Sequence, residues 1–447
     1  MLANIDPNLL IDQEWTGTFF PPGRLDLSFA GRLRYSPTQG LQLEFARQMS
    51  KEDEEQKWAF LHGHTSKGVP LTLLGDFSSE GNGYSFSHGM SYWTSAGYHF
   101  QYAIFGYHFE EADTFDTFDF DLSGVQDFFG TEGMIDRTPH SMVEVVTSNN
   151  DVGKICVIHS SKMKFVGGDL KGVFHAENSE ALEELQLAYD EVRDRHPDFL
   201  PFVKRRTDYL LRFVPAQELR VHDARKVIES VADLFAMLSF EPVKLKALSA
   251  TARDNEGKPY VMKVFPSMFN DHATIKRSTS ERSFHRLPLN NTDVDLGQLI
   301  SNWLRHADSY STVSSLLQSK VDVTSEHEIH GNIVLAATQL ERIAIQHGAT
   351  ARKQKYEYGL KNHASARLRN RIAVLLGCKE EDVGDAISDL RNEIAHVGRP
   401  RMLLSKIDPG RQYKISTALQ TVIIGYALEQ MGASVIARDK YQESLFW

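Results

Sequence analysis

Residues 25–45 read LDLSFAGRLRYSPTQGLQLEF. Apolar side chains occupy every second position from Leu25 to Tyr35, with an interruption at Gly31, and again from Leu41 to Phe45. Because successive side chains of a strand point to opposite faces of a sheet, each run predicts a half-buried β-strand. This stretch therefore predicts that the N-terminal part of the chain is built around a β-sheet.

The rest of the N-terminal region continues the strand pattern, with two helices inserted. Helical spacing of apolar residues predicts one helix from Asn178 to Arg195, ended by Pro197, and another from Asp223 to Leu238. We expect an α+β region of sandwich or barrel type over residues 1–266, followed by a linker at 267–292 that is rich in Ser, Asn, Arg and His. The further predicted strands cover residues 68–74, 99–109, 142–147, 154–159, 207–214, 243–249 and 259–265.

Residues 293–447 have the pattern of an all-α helical bundle. Ser325 and Glu328 form a capping box, which predicts the start of a long amphipathic helix closed by Gly348. Short connections between such helices are typical of antiparallel neighbours, so we expect a compact bundle. Four other helices are predicted. One begins at Leu296, and the others cover residues 364–377, about 382–397 and 415–431.

The helix near residue 390 carries a chemically informative pair, Arg391 and His396, in the segment LRNEIAHVG of residues 390–398. A histidine can move a proton, because its ordinary pKa lies near neutrality. An arginine keeps its charge, and its planar set of donors fits phosphate oxygens. The pair is sufficient for one defined chemistry, the cleavage of RNA without a metal.

The spacing of these two residues does not place them on one face of a helix. At about 100° per residue, the side chains would lie about 140° apart. They could still meet if His396 lies in a last turn that unwinds before a C-cap at Gly398, or if a second copy of the motif comes alongside across a two-fold axis. The alternative is that Arg391 pairs with Glu393 or another nearby carboxylate, while His396 caps the helix.

The chain resembles a known family at these positions. An all-helical bundle with Arg391, Asn392 and His396 on a late helix resembles a HEPN domain, and the run ARLRNRIAVLL at residues 366–376 is also typical of one. The segments GTFFPPG at 17–23, GRLRY at 31–35 and LQLEF at 41–45 resemble the start of ApeA-type proteins. Those proteins are bacterial anti-phage factors with a β-rich N-terminal region and a C-terminal HEPN domain.

The resemblance implies a metal-independent endoribonuclease that needs no cofactor and forms a homodimer through its HEPN domain. Arg391 and His396 would be catalytic and Asn392 would support them. The substrate would be structured cellular RNA, such as tRNA anticodon loops, and the N-terminal region would respond to a phage-derived trigger. The alternative is a non-catalytic HEPN module that binds nucleotides or a protein, with the N-terminal region as a ligand-binding platform.

The charge of the chain is unevenly distributed. A formal net charge of −10 argues against a general nucleic-acid coat, but the acidic excess lies in residues 1–290, whereas residues 291–447 are close to neutral. Arginines flank the motif on both sides, and they either steer RNA phosphates towards it or merely solvate helix faces. The candidates for phosphate binding are Arg367, Arg369, Arg371, Arg399 and Arg401.

Several other classes of protein are disfavoured. Cys156 and Cys378 are the two cysteines, so a disulfide framework is not available and a reducing cytoplasm is expected. No apolar run approaches the ~20 residues that would span a membrane, and the N-terminus lacks the pattern of a signal peptide. We therefore expect a cytoplasmic protein without a membrane partner.

No metal site is expected. The acidic residues between 110 and 121 alternate with phenylalanines, which predicts that they lie on the outer face of a strand. His327 and His330 lack the i, i+4 spacing of a zinc-binding helix. His62 and His64 have no third ligand close by in the sequence.

Overall fold

The computed structural model describes residues 5–49, 60–75, 78–88, 91–110, 112–129, 143–165, 170, 178–198, 202–253, 256–279, 287–319, 325–349, 351, 354–396 and 400–445. Over these residues the predicted fold class is confirmed. The chain is α+β, with a large antiparallel sheet in its N-terminal part and a helical C-terminal part.

Fourteen strands form one sheet within the described residues. They are β1 Gln13–Phe20, β2 Phe29–Ser36, β3 Gly40–Met49, β4 Phe60–Thr65, β5 Pro70–Leu74, β6 Ser78–His88, β7 Ser91–Phe100, β8 Tyr102–Phe105, β9 Thr117–Leu122, β10 Val143–Asn150, β11 Gly153–Phe165, β12 Phe202–Pro215, β13 Leu245–Arg253 and β14 Pro259–Pro266. Their order across the sheet is β10-β11-β12-β9-β13-β14-β8-β5-β4-β1-β2-β3-β7-β6. Strands β1, β4 and β6 are absent from the sequence prediction, and β7 is covered by it only at its last two residues.

The alternating stretch at residues 25–45 forms β2 and β3, but its first strand begins later than predicted. Residues Leu25–Leu27 form a short 3₁₀ turn in which the Leu27 N–H donates to the Arg24 carbonyl at 3.0 Å, and Leu25 is 68% exposed. The turn uses the backbone donors that a strand would offer to its neighbour. Gly31 has a packing role, because a Cβ there would lie 3.1 Å from the Phe19 ring of β1.

The strand predicted at 99–109 is wrong in its extent. Residues up to Phe100 belong to β7, which pairs with β3, whereas β8 pairs with β5 and β14. Gln101 lies at the corner between them, where its N–H donates to Leu74 and its carbonyl accepts from Ser267. The chain therefore changes partner strands inside one apolar run, which periodicity alone does not reveal.

The helices of the N-terminal part are α1 Val125–Phe129, α2 Ser179–Arg195, α3 Val221–Ser239 and α4 His272–Ser278 within the described residues. The prediction of α2 is confirmed, and Asn178 caps it by accepting the N–H groups of Glu180 and Ala181. The prediction of α3 is also confirmed, and this helix is largely buried. Helix α4 and the buried Leu289 both lie within the segment predicted as a linker.

The C-terminal part consists of α5 Leu296–Ser319, α6 Glu326–Gln346, α7 Gln354–His363, α8 Ala366–Leu376, α9 Val383–Ala395, α10 Pro409–Gln430 and α11 Val435–Ser444. The N-cap half of the predicted capping box is present at α6, where the Ser325 hydroxyl accepts the Glu328 N–H at 3.3 Å. Helices α7 and α11 are absent from the prediction, because both are short and mostly polar. None of the described helices is long and apolar enough to cross a membrane.

The two parts share one apolar core. Helix α5 lies along β10, the strand at one end of the sheet, and a Cβ at Gly297 would lie 2.7 Å from the Thr147 carbonyl. Helix α3 receives two hydrogen bonds from the C-terminal part. Trp303 Nε1 donates to the Ser230 carbonyl and the Tyr441 hydroxyl donates to the Met237 carbonyl, both at 2.6 Å.

Candidate active site

Helix α9 positions Arg391 between the bundle and solvent. Leu390 of this helix is completely buried, which fixes the rotation of α9 against the bundle. The half-buried Arg391 donates from Nη1 to the Asn392 side-chain oxygen at 3.1 Å. Its Nε atom is buried and has no hydrogen-bond partner among the described residues. A buried donor without an acceptor is costly, so the guanidinium lacks one of the hydrogen bonds that would compensate for its lost hydration.

His396 lies immediately after α9. Its backbone is extended, with φ −116° and ψ 112°, and its N–H donates to the Asn392 carbonyl at 3.1 Å. The helix therefore ends earlier than predicted, and Gly398, the expected C-cap, lies outside the described residues. Because His396 has left the helix, the 140° separation of an ideal helix does not limit the approach of the two side chains. The imidazole is exposed.

Glu393 does not pair with Arg391. Its carboxylate instead accepts the Leu403 N–H at 3.1 and 3.0 Å and the Leu404 N–H at 2.8 Å. Among the described residues, no carboxylate forms an ion pair with Arg391. This arrangement does not support the pairing of Arg391 with Glu393, whereas His396 is the C-cap residue of α9, as the same alternative expects.

A second polar group on α6 and α7 faces Arg391. Glu341 accepts from Lys355 Nζ at 2.8 Å and from the Tyr356 hydroxyl at 3.4 Å. Burial raises the pKa of Tyr356 and Glu341 raises it further, whereas the nearby Arg391 charge acts in the opposite direction. Sequence reasoning missed these residues, because nothing in their spacing relates them to a motif on a later helix.

The five candidate phosphate-binding arginines differ in their surroundings. Arg369 binds Glu380 at 2.9 Å and the Ala364 carbonyl at 2.8 Å, which favours the structural interpretation for this residue. Arg367 lies 3.9 Å from Glu443. Arg371 and Arg401 are exposed, and neither makes an ion pair within the described residues. Arg399 lies outside the described residues.

The acidic stretch near residue 120 faces the cations of neighbouring strands. Phe118 and Phe120 of β9 are completely buried, so the alternate side chains Asp119 and Asp121 face outwards, as the spacing predicts. Asp119 accepts two hydrogen bonds from Arg212 of β12, at 2.6 and 2.8 Å. Asp121 lies 2.9 Å from Lys246 of β13. These carboxylates therefore hold adjacent strands together.

A histidine cluster in the sheet brings a third residue to His62 and His64. His108 stacks on His62 with ring centroids 4.4 Å apart, and its centroid lies 4.7 Å from that of His64. Each Nε2 of the stacked pair donates to a carbonyl, from His62 to Phe109 at 3.1 Å and from His108 to Gly63 at 2.9 Å. These two Nε2 atoms therefore already have backbone hydrogen-bond partners. Sequence patterns do not reveal the cluster, because four strands, β5 to β8, separate His64 from His108 along the chain.

Comparison with known proteins gives one match. The family model described as ApeA N-terminal domain 1 matches residues 14–303, which is more than half of the chain. The match includes the sheet, α3 and the first turns of α5, and it ends before the helix that carries Arg391. No curated protein and no solved structure matches the chain.

Proposed function

The chain belongs to the ApeA family through its N-terminal domain 1, a family of anti-phage defence proteins, and we propose that its helical part is a metal-independent endoribonuclease. The ApeA-type resemblance seen in the sequence is thereby confirmed. The HEPN assignment of residues 293–447 remains part of the proposal. It is supported by the helical bundle and by the position of the arginine–histidine motif on a late helix.

His396 would transfer the proton in this reaction. It would act as general base on a ribose 2′-hydroxyl, or as general acid for the departing 5′-oxygen. Arg391 would stabilise the charge that develops on the phosphate oxygens, with Asn392 holding its Nη1 in place. The 2′-oxygen attacks phosphorus while the bond to the 5′-oxygen breaks, so the products are a 2′,3′-cyclic phosphate and a 5′-hydroxyl.

The observation that carries the proposal is that no carboxylate in the part of the chain that the structure describes forms an ion pair with the Arg391 guanidinium. A partly buried cation is stable only when an anion or several acceptors compensate for its lost hydration. Here Glu393, two residues away in the sequence, binds backbone N–H groups instead. A phosphate would supply the missing charge beside an exposed histidine.

The proposed substrate is structured cellular RNA, with tRNA anticodon loops as the leading candidate. Unpaired loops expose the 2′-hydroxyl and the bases that a nuclease must reach. By resemblance, the active unit would be a homodimer through the helical part, in which two motifs supply two histidines. A phage-derived trigger would act on the N-terminal region.

The test is RNA cleavage and growth inhibition by Arg391→Ala and His396→Ala. Each should abolish both effects with little change in the free energy of unfolding, because truncation of a partly exposed polar side chain is usually tolerated. His327→Ala, which removes an exposed histidine of α6, is the matched control and should retain activity. Full activity of either motif variant would contradict the proposed chemistry.

The competing function is a non-catalytic module that binds nucleotides or a protein. The Arg391 guanidinium, which has no ion-pair partner among the described residues, favours an anionic ligand under this alternative too. It predicts that Arg391→Ala weakens nucleotide binding, while His396→Ala binds as the wild type does and no cleavage is seen with either protein.

A further inference from the structure

Two acceptor groups of α9 bind the chain near the end of the motif, one at His396 and one several residues later. His396 is held by α9 itself, because its N–H donates to the Asn392 carbonyl. Beyond it, the chain returns to α9 at Leu403 and Leu404, whose N–H groups both donate to the Glu393 carboxylate. Hydrogen bonds to a charged acceptor are among the strong ones. Glu393 therefore fixes the segment that contains Arg401.

Arg401 lies beside an acidic cleft of the helical part. Pro400 and Met402 line a cleft of about 550 Å³ together with Asp385 and Asp389 of α9, but Arg401, between them in the chain, does not line it. Its side chain is exposed and makes no ion pair within the described residues. A cation that stays apart from a neighbouring acidic cleft is available to another anion.

We propose that Arg401 binds an RNA phosphate next to the scissile one, and that Glu393 is the positioning residue that holds Arg401 in place. Glu393 itself does not touch RNA. The inference rests on the proposed ribonuclease function, and it selects one cation from the five that the sequence offers. It also gives Glu393, which lies inside the motif, a role that does not involve Arg391.

The opposing interpretation is that Glu393 only stabilises the fold, by capping the short 3₁₀ helix Leu404–Lys406. Stability measurements alone do not separate the two, because both interpretations predict a loss. The salt dependence of RNA binding separates them, since each phosphate contact contributes about one unit to the slope of log affinity against log salt.

The experiment measures binding of a fluorescein-labelled RNA hairpin with an unpaired loop to the full-length His396→Ala protein, which leaves the RNA uncut. Added separately, Arg401→Gln and Glu393→Ala should each weaken binding about tenfold and lower the salt slope by about one, as expected for one charge-assisted contact. Together they should weaken binding no further, because both remove the same contact. Arg305→Gln and Glu381→Ala, charge-matched changes at exposed positions elsewhere in the helical part, should bind as the parent does.

Two results would overturn the inference. One is a double variant whose loss is the product of the single losses, which would mean that Glu393 acts independently of Arg401. The other is unchanged affinity and salt slope in both single variants. If Glu393→Ala does not fold, Glu393→Gln replaces it. This variant keeps an acceptor oxygen but loses the charge, and it should give a smaller loss that again vanishes in the Arg401→Gln background.

The failure of this inference can be distinguished from failure of the proposed function. If the wild-type protein cleaves RNA while the Arg401 and Glu393 variants bind the hairpin normally, only the phosphate contact at Arg401 is refuted. If the wild-type protein does not cleave RNA and Arg391→Ala binds the hairpin as it does, the proposed function is refuted, and this inference with it.

Discussion

Arg391 and its neighbours illustrate how much of the site is local chemistry. Asn392 supports the guanidinium from the next position in the chain, at 3.1 Å. The sequence could propose Arg391, Asn392 and His396 as candidates, because all three lie in one short segment with a recognisable spacing. It could not predict that Tyr356 and Glu341 lie nearby, because their approach depends on how three helices pack.

Asn392 is expected to position the Arg391 guanidinium for catalysis. Asn392→Ala removes the acceptor that fixes Arg391 Nη1, and a hydrogen bond to a charged group is worth about 1.5–3 kcal/mol. We expect the rate of RNA cleavage at saturating substrate to fall about tenfold or more, with the free energy of unfolding nearly unchanged. Single-turnover kinetics and urea denaturation provide the two measurements. Wild-type rates in this variant would show that Asn392 does not position Arg391.

Strands and helices whose apolar residues recur at a regular spacing could be predicted from the sequence. The residues at which they end could not. Alternation predicted β2, β3 and the buried face of β9, and helical spacing predicted α2, α3 and α6. The errors lie where another interaction overrides the period. The 3₁₀ turn at Leu25–Leu27 satisfies its own backbone, and Gln101 marks a change of partner strand. His396 ends α9 before the glycine expected to do so.

The histidine cluster between β4 and the end of β8 predicts a loss of stability in acid. Burial lowers the pKa of His108 from its ordinary value of 6.5, and the neighbouring His62 and His64 lower it further. Below about pH 6.5 the unfolded chain therefore binds a proton that the folded chain does not, so the free energy of unfolding falls as the pH drops through this range. Above about pH 6.5 the full contribution of the neutral His108 to the free energy of unfolding is retained.

His108→Gln tests this prediction, because a glutamine can still donate to the Gly63 carbonyl but does not titrate. Urea denaturation at several pH values should give a shallower decline below about pH 6.5 for the variant than for the wild type. Identical slopes for the two proteins would exclude His108 as a source of the acid sensitivity.

At the scale of the whole molecule, α3 connects the sheet to the helical part. Tyr441 is completely buried and donates to the Met237 carbonyl, while Trp303 donates to the Ser230 carbonyl of the same helix. These contacts join residues far apart in the sequence, so no local sequence pattern predicts them. They place the predicted nuclease motif and the ApeA-family sheet on one continuous core.

Tyr441→Phe tests the strength of that connection. It removes one of the two donors to the Met237 carbonyl, which keeps the Phe240 N–H at 3.3 Å, and the loss of such a hydrogen bond costs about 0.5–1.5 kcal/mol. Because the two parts share a core, we expect the fluorescence and circular dichroism transitions in urea to move to lower concentration together. Tyr413→Phe, at a tyrosine that is 48% exposed, is the control and should have little effect. Separate transitions for the two parts in the wild type would contradict a shared core.

If Arg391 and His396 cleave RNA without a metal, the ends of the cleaved RNA will carry the signature of that reaction. Total bacterial RNA incubated with the wild-type protein in EDTA should yield discrete fragments with 2′,3′-cyclic phosphate and 5′-hydroxyl ends, and none with His396→Ala. Fragments that carry 5′-phosphates, or cleavage that stops in EDTA, would contradict the account.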